Sequence, residues 1–156
     1  MAELGENFNT VLEHIEKVRR KELLYMVFSF QGTNTTQYEI KELKDNPSAL
    51  DKFIVKQESE LEGQFEQFKK QVKEYGCCYA LFDFEANHSD GTPRSALFLF
   101  TLIPDGFTVK EKFLYSFHLQ QFIGSLKTAV KLVQINQYED LNYETMKKIC
   151  LALKKG

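Results

Sequence analysis

The sequence has no tryptophan, only three prolines and three cysteines, and almost no excess of either charge, with 20 basic against 22 acidic residues. Each scarcity excludes something. A formal charge of −2 gives the chain no long-range attraction to nucleic acid or to an anionic membrane, so electrostatic recognition has to be local. Three cysteines are an odd number and two of them, Cys77 and Cys78, are neighbours, which is not the paired framework of a small secreted domain. A reducing compartment is expected. No apolar run approaches membrane-spanning length, and Met1 to Glu6 carry neither the basic stretch nor the apolar core that directs export. These features predict a cytoplasmic protein.

Motifs that carry chemistry are equally scarce. His14, His88 and His118 are scattered, with no Cys or carboxylate at metal-ligand spacing, so no metal site is expected. His88-Ser89-Asp90 contains the residue types of a nucleophilic triad, but three consecutive turn residues do not align nucleophile, base and orienting acid. It reads as a solvated turn. The internal glycines are isolated, leaving no phosphate-cradling loop. Asp83 and Glu85 share one side of a strand without an opposing group for acid–base work, and suit salt bridges at a strand end. Cys77 and Cys78 suit small core fillers on opposite faces of a strand. Neither catalysis nor a cofactor is expected.

What is present is a supply of core. Fourteen Phe and seven Tyr within a 43% hydrophobic composition predict one densely packed domain over residues 1–156. Phe8, Val11, Leu12, Ile15 and Val18 recur at helical spacing; Leu61, Phe65, Phe68, Val72 and Tyr75 do so again, with Gly76 placed to stop that helix. Leu23 to Phe30 (LLYMVFSF), Cys77 to Ala86 and Ala96 to Ile103 are apolar at odd and even positions, as in strands covered on both faces. Tyr38 to Leu43 alternates like a half-exposed strand after a turn at Gly32-Thr33-Asn34, and Asp90-Gly91 supplies the tip of a central hairpin. A loop with one helical turn around Ala49 to Ile54 and a break at Pro104-Asp105-Gly106 separate further elements. Phe113, Phe117, Phe122 and Leu126 are assigned to the buried side of a long helix, and Lys131 to Gln137 to a short strand. Asn142 caps a last helix with Met146, Ile149, Cys150 and Leu153 inward and Lys147, Lys148, Lys154 and Lys155 in water. The resulting fold class is α+β, a central mixed sheet of about five strands sandwiched between helices.

Three stretches carry a resemblance: Tyr79-Ala-Leu-Phe-Asp-Phe-Glu85, then Arg94-Ser-Ala-Leu-Phe-Leu-Phe-Thr-Leu-Ile-Pro-Asp105, then Val109-Lys-Glu-Lys-Phe-Leu-Tyr115. Together they resemble the actin-depolymerising-factor homology family, in its cofilin branch. The order of elements from Leu23 to Leu153 is similar too. The resemblance implies a non-enzymatic, monomeric actin-binding protein that engages actin monomers and filaments and promotes filament turnover. It assigns Lys110 and Lys112 as a basic pair flanked by the apolar contacts Val109, Phe113 and Leu114, and it assigns Arg94, Lys147 and Lys148 to a separate filament-side contact.

Other positions depart from the family pattern. No serine precedes Ser29, which implies that the family's N-terminal phosphorylation switch is absent. The stretch Gln120 to Ser125 lacks lysine, and Ala96 replaces a frequent lysine, which argues against assuming full severing activity. Ser89-Asp90-Gly91 and Tyr138-Glu139-Asp140-Leu141 are similar to the glia-maturation-factor branch, which binds the actin-related-protein branching complex, so that alternative partner stays open. Arg94, Lys110, Lys112, Lys127 and Lys131 are a secondary expectation, one basic patch meeting phosphoinositides.

Overall fold

Val11, Ile15 and Val18 are buried along one side of helix α1 (Phe8–Arg19) in the computed structural model, which describes residues 3–4, 8–31, 35–47, 56–103, 109–126 and 128–153. The expected turn at 32–34, helical turn at 49–54 and break at 104–106 lie outside the described residues, as do Lys127, Lys154 and Lys155. Helix α1 closes on a Schellman arrangement in which Lys21 N–H donates to the Val18 carbonyl (3.0 Å) and Glu22 N–H to that of Lys17 (2.9 Å). Lys21 is left-handed there, at φ 66°. Glycine is the usual occupant, and a side chain in that conformation costs about 1–2 kcal/mol.

The strands are β1 (Glu3–Leu4), β2 (Leu23–Gln31), β3 (Thr35–Asp45), β4 (Cys78–Asn87), β5 (Pro93–Leu102) and β6 (Lys131–Ile135). They form one mixed sheet in the order β1-β3-β2-β4-β5-β6, with parallel pairs at the two edges and antiparallel pairs between. Five of these strands were expected; the sixth, β1, is a two-residue segment too short to show any periodicity. The pairing of β2 with β4 ends at Tyr25 opposite Phe82, whereas β4 stays paired with β5 out to Asn87 opposite Pro93. The outer half of the β4–β5 hairpin therefore projects past β2. At its tip Gly91 takes φ 87°, and Asp90 Oδ1 accepts from Thr92 N–H at 2.9 Å, as in a solvated turn.

In β3 the partner of Val27 is Glu42 but that of Phe28 is Ile40, so Lys41 is an extra residue. That bulge exchanges the faces. Tyr38 and Ile40 pack with Phe30 and Phe28, while Glu42 turns to the opposite side, where it accepts from the Tyr25 (2.6 Å) and Tyr75 (2.7 Å) hydroxyls.

Both faces of the sheet are covered, as apolar central strands require. On one lie α2 (Glu58–Val72) and α4 (Tyr143–Ala152), closing a core of Phe65, Phe68, Phe82, Phe84, Phe98 and Phe100. On the other lie α1 and α3 (Val109–Ser125), over Met26, Phe28, Phe30, Tyr79 and Leu99. A 3-10 turn, Lys73–Tyr75, ends α2 at Gly76 (φ 66°), and the Asn142 side chain caps α4 by accepting from Thr145 N–H at 3.1 Å. The stop at Gly76 and the start at Asn142 agree with expectation.

Helix α3 corrects one assignment. Phe122 is 1% exposed and Leu126 packs beside it, but Phe113 is 67% exposed. Phe113 and Phe122 are nine residues apart, two and a half helical turns, and so lie on opposite sides. The inward face is instead Tyr115, His118, Leu119 and Phe122.

Candidate functional site

Position 109 begins α3, and every fourth residue from there, Val109, Phe113 and Phe117, falls along one outward line. Val109 is 85% exposed, and the Phe113 and Phe117 rings stack at 6.4 Å. The helix is thus apolar on both sides, one side filled by the core and the other presented to the surface. Lys110 is exposed and Lys112 half-buried. Two positions apart means about 200° around the helix, so the two lysines border the apolar line on either hand. Leu114 is half-buried at its flank. Cations in a first helical turn oppose the helix dipole.

The ridge is held from beneath. The Tyr79 and Tyr115 rings stack at 5.4 Å, the Tyr79 hydroxyl donates to the Tyr115 carbonyl, and the Tyr115 hydroxyl donates to the Cys77 carbonyl at 3.4 Å. Burial pushes the Tyr79 phenol up, keeping it a protonated donor. This joins the first and third stretches singled out in the sequence.

A second group lies on the opposite face of the sheet. Arg94 is half-buried on β5 opposite Ala86, and its carbonyl accepts from Cys150 Sγ of α4 at 3.9 Å, which couples hairpin to helix. Lys148 is exposed. Lys147 is not simply wet, as expected; it forms an ion pair with Glu58 in the first turn of α2, which lies on the same face as α4.

Among the described residues the members of the basic patch are spread along the molecule. Lys127 is outside the described residues, and the length of α3, about 20 Å from Lys112 to Ser125, separates Lys110 and Lys112 from Lys131. Arg94 is four residues along β5 from Phe98, the residue facing Lys131.

Sequence reasoning missed the partners of the β4 carboxylates. Tyr79, Leu81, Asp83 and Glu85 alternate onto one face; the first two meet the core under α1 and α3, and the next two emerge beyond the end of α1. There Lys21 Nζ reaches Asp83 Oδ2 (3.0 Å) and Glu85 Oε1 (3.3 Å), and Lys56 Nζ reaches the same Glu85 oxygen (2.9 Å). The Asn87 amide donates to the Lys56 carbonyl at 2.9 Å. The strand-end salt bridges foreseen for Asp83 and Glu85 are present. The lysines come from positions 62 and 29 residues away, with no local signal.

Titration separates the members of this cluster. Burial pushes the Asp83 carboxyl up to about 6 even beside Lys21, because it shares that cation with Glu85, whose charge also raises it. The Lys21 pKa is raised as well, which favours its charged form: burial alone would lower it, but two carboxylates together raise it. The two directions agree once their surroundings are compared, since the Asp83 side chain is 5% exposed and that of Lys21 25%.

All three cysteines are buried thiols, and burial pushes Cys78 up to about 12 and Cys150 up to about 11. Among the described residues, no cluster of His, Cys, Asp and Glu is placed to hold a metal ion, and no helix is long and apolar enough to cross a membrane.

With this geometry in view, comparison with known proteins is specific. Residues 6–150 match the family model of cofilin/tropomyosin-type actin-binding proteins. The chain is 25% identical over 126 residues to the cofilin of Schizosaccharomyces pombe, covering 81% of this chain and 79% of that protein. It is 27% identical over 95 residues to the cofilin of Kluyveromyces lactis, covering 60% of this chain and 66% of that one. Its fold is similar to that of Plasmodium berghei actin depolymerization factor 2, with a TM-score of 0.72 at 15% identity over 98% of each chain. It is also similar to the ADF-like UNC-60A protein of Caenorhabditis elegans, with a TM-score of 0.68 at 19% identity over 94% of this chain and 92% of that one.

Proposed function

The chain belongs to the family of cofilin/tropomyosin-type actin-binding proteins, and from that premise we propose that it binds actin through the start of α3 and promotes filament turnover. One observation carries the reading: a surface helix anchored in the core by Tyr115, Leu119 and Phe122 presents Val109 and Phe113 outward, bordered by Lys110 and Lys112. Apolar side chains as exposed as these are suited to burial in a partner's cleft. Leu114 completes the apolar contact. The lysines orient the approach to an acidic surface, and the apolar groups hold.

Arg94, Lys147 and Lys148 form the separate filament-side contact. The protein acts as one non-catalytic domain over 1–156, a monomer in the cytoplasm at the actin cytoskeleton. The test is a monomer-binding titration together with filament co-sedimentation of the Lys110→Glu/Lys112→Glu double variant. Loss of monomer binding with an unchanged melting curve is expected, and unchanged affinity would reject the site.

The pairing of Lys147 with Glu58 leaves less free cation on the filament side and favours keeping a second reading, regulation of the actin-related-protein branching complex. A pull-down with purified actin against purified branching complex separates the two.

A further inference from the structure

The outer half of the β4–β5 hairpin, residues 83–96, extends beyond the last β2 partner, and among the described residues no strand pairs with β4 there. On that open side stand Lys21, from the end of α1, and Lys56, from the approach to α2. Two cations face two carboxylates on alternate residues of β4, and the Asn87 amide fastens the Lys56 backbone as well. Lys56 and Asp83 are almost fully buried, at 6% and 5% exposure, so the contacts are shielded from competing water. Lys21 also occupies a left-handed position where glycine would be unstrained. Glycine would have no cation to offer, and the ion pairs account for a lysine at this point of the chain.

We propose that Lys21, Lys56, Asp83 and Glu85 form a clasp that aims the projecting hairpin, and that through it these residues govern filament binding without touching the filament. Arg94 faces Ala86 across the hairpin, one register step from Glu85 opposite Ser95, so a swing of the clasped strand carries Arg94 with it. Helix α3 meets the sheet at the other end of β4, through Cys77 and Tyr79, and is not moved. The inference rests on the reading of Arg94 as a filament contact. Lys21, Lys56, Asp83 and Glu85 are then positioning residues.

Four variants test it: Lys21→Met, Glu85→Gln, Lys21→Arg and Arg94→Ala. Amide hydrogen exchange across 84–95 reads the clasp with no partner present, and actin filaments and monomers are titrated separately. In Lys21→Met and Glu85→Gln, hairpin exchange is expected to quicken and filament affinity to fall about fivefold to tenfold, with monomer affinity held within about twofold. Lys21→Arg, which keeps the cation, should restore both. If Lys21→Met does not fold, Glu85→Gln carries the test, because it loosens both lysines from the partly exposed rim of the cluster. Unchanged hairpin exchange, or equal losses of filament and monomer binding, would overturn the clasp. If Arg94→Ala leaves filament affinity intact, the filament reading itself has failed, and exchange across 84–95 alone decides whether the clasp exists.

Discussion

Truncating Phe113 to alanine separates binding from folding more cleanly than any other single change in the molecule. A buried phenylalanine removes roughly 200 Å² from water, and Phe113 in the isolated protein is 67% exposed. About 130 Å² is therefore available to a partner, worth about 3 kcal/mol at 25 cal/mol per Å² if wholly covered. Coverage of two-thirds leaves about 2 kcal/mol, close to a 30-fold loss of affinity. The fold should barely notice. The ring touches Phe117 on the helix surface, and an exposed truncation of this kind changes stability by less than about 0.5 kcal/mol, under about 2 °C in Tm. Phe122→Ala is the control from the same helix: at 1% exposure it should cost about 3–5 kcal/mol of stability. Actin titration by fluorescence and thermal unfolding measure the two quantities on the same samples. A Phe113→Ala protein that binds actin within about twofold of the parent refutes the reasoning, and so does one that has lost several degrees of Tm.

Two further outcomes follow from the site and its supports. The Asp83 carboxyl is pushed up to about 6 from an ordinary 3.8, so the folded protein binds that proton more tightly than the unfolded chain. Its contribution to stability is complete below pH 3.8 and is lost as pH rises through about 6. That gap is worth about 3 kcal/mol. Denaturant unfolding should therefore show wild type gaining about 2–2.5 kcal/mol on Asp83→Asn between pH 7 and 4, and parallel profiles would reject the assignment. Gly124 lies exposed within α3, and among the described residues nothing is within 4 Å of where a Cβ would sit. Gly124→Ala should raise stability by about 0.5–1 kcal/mol, seen as a Tm increase of about 2–3 °C.

The elements legible in the sequence are those whose signal is local. Val11, Ile15 and Val18 mark a helix face wherever the helix docks, Asn142 caps whatever follows it, and Gly76 ends a helix through its own backbone. The bulge at Lys41 was not legible, because an extra residue in one strand is defined only by its partner. Without it Glu42 would share the face of Tyr38 and Ile40. The place of Phe113 lies in its helical phase and not in its aromatic character. Its exposure shows only after nine residues are converted into two and a half turns. The candidate surface itself was readable in Val109 to Tyr115. Its supports were not, since Tyr79 with Tyr115, Lys21 with Asp83 and Lys147 with Glu58 join residues 36, 62 and 89 positions apart.

The outward ridge of α3 also bears on how concentrated this protein can become. An uncovered apolar line meets other copies of itself as readily as it meets a partner, and such surfaces are where solutions begin to aggregate. Lys110 and Lys112 stand on both borders of that line, so two molecules approaching ridge to ridge bring four cations together, and the repulsion keeps them apart. An acidic partner meets no such barrier. Neutralising the two side chains is expected to raise self-association at high protein and low salt.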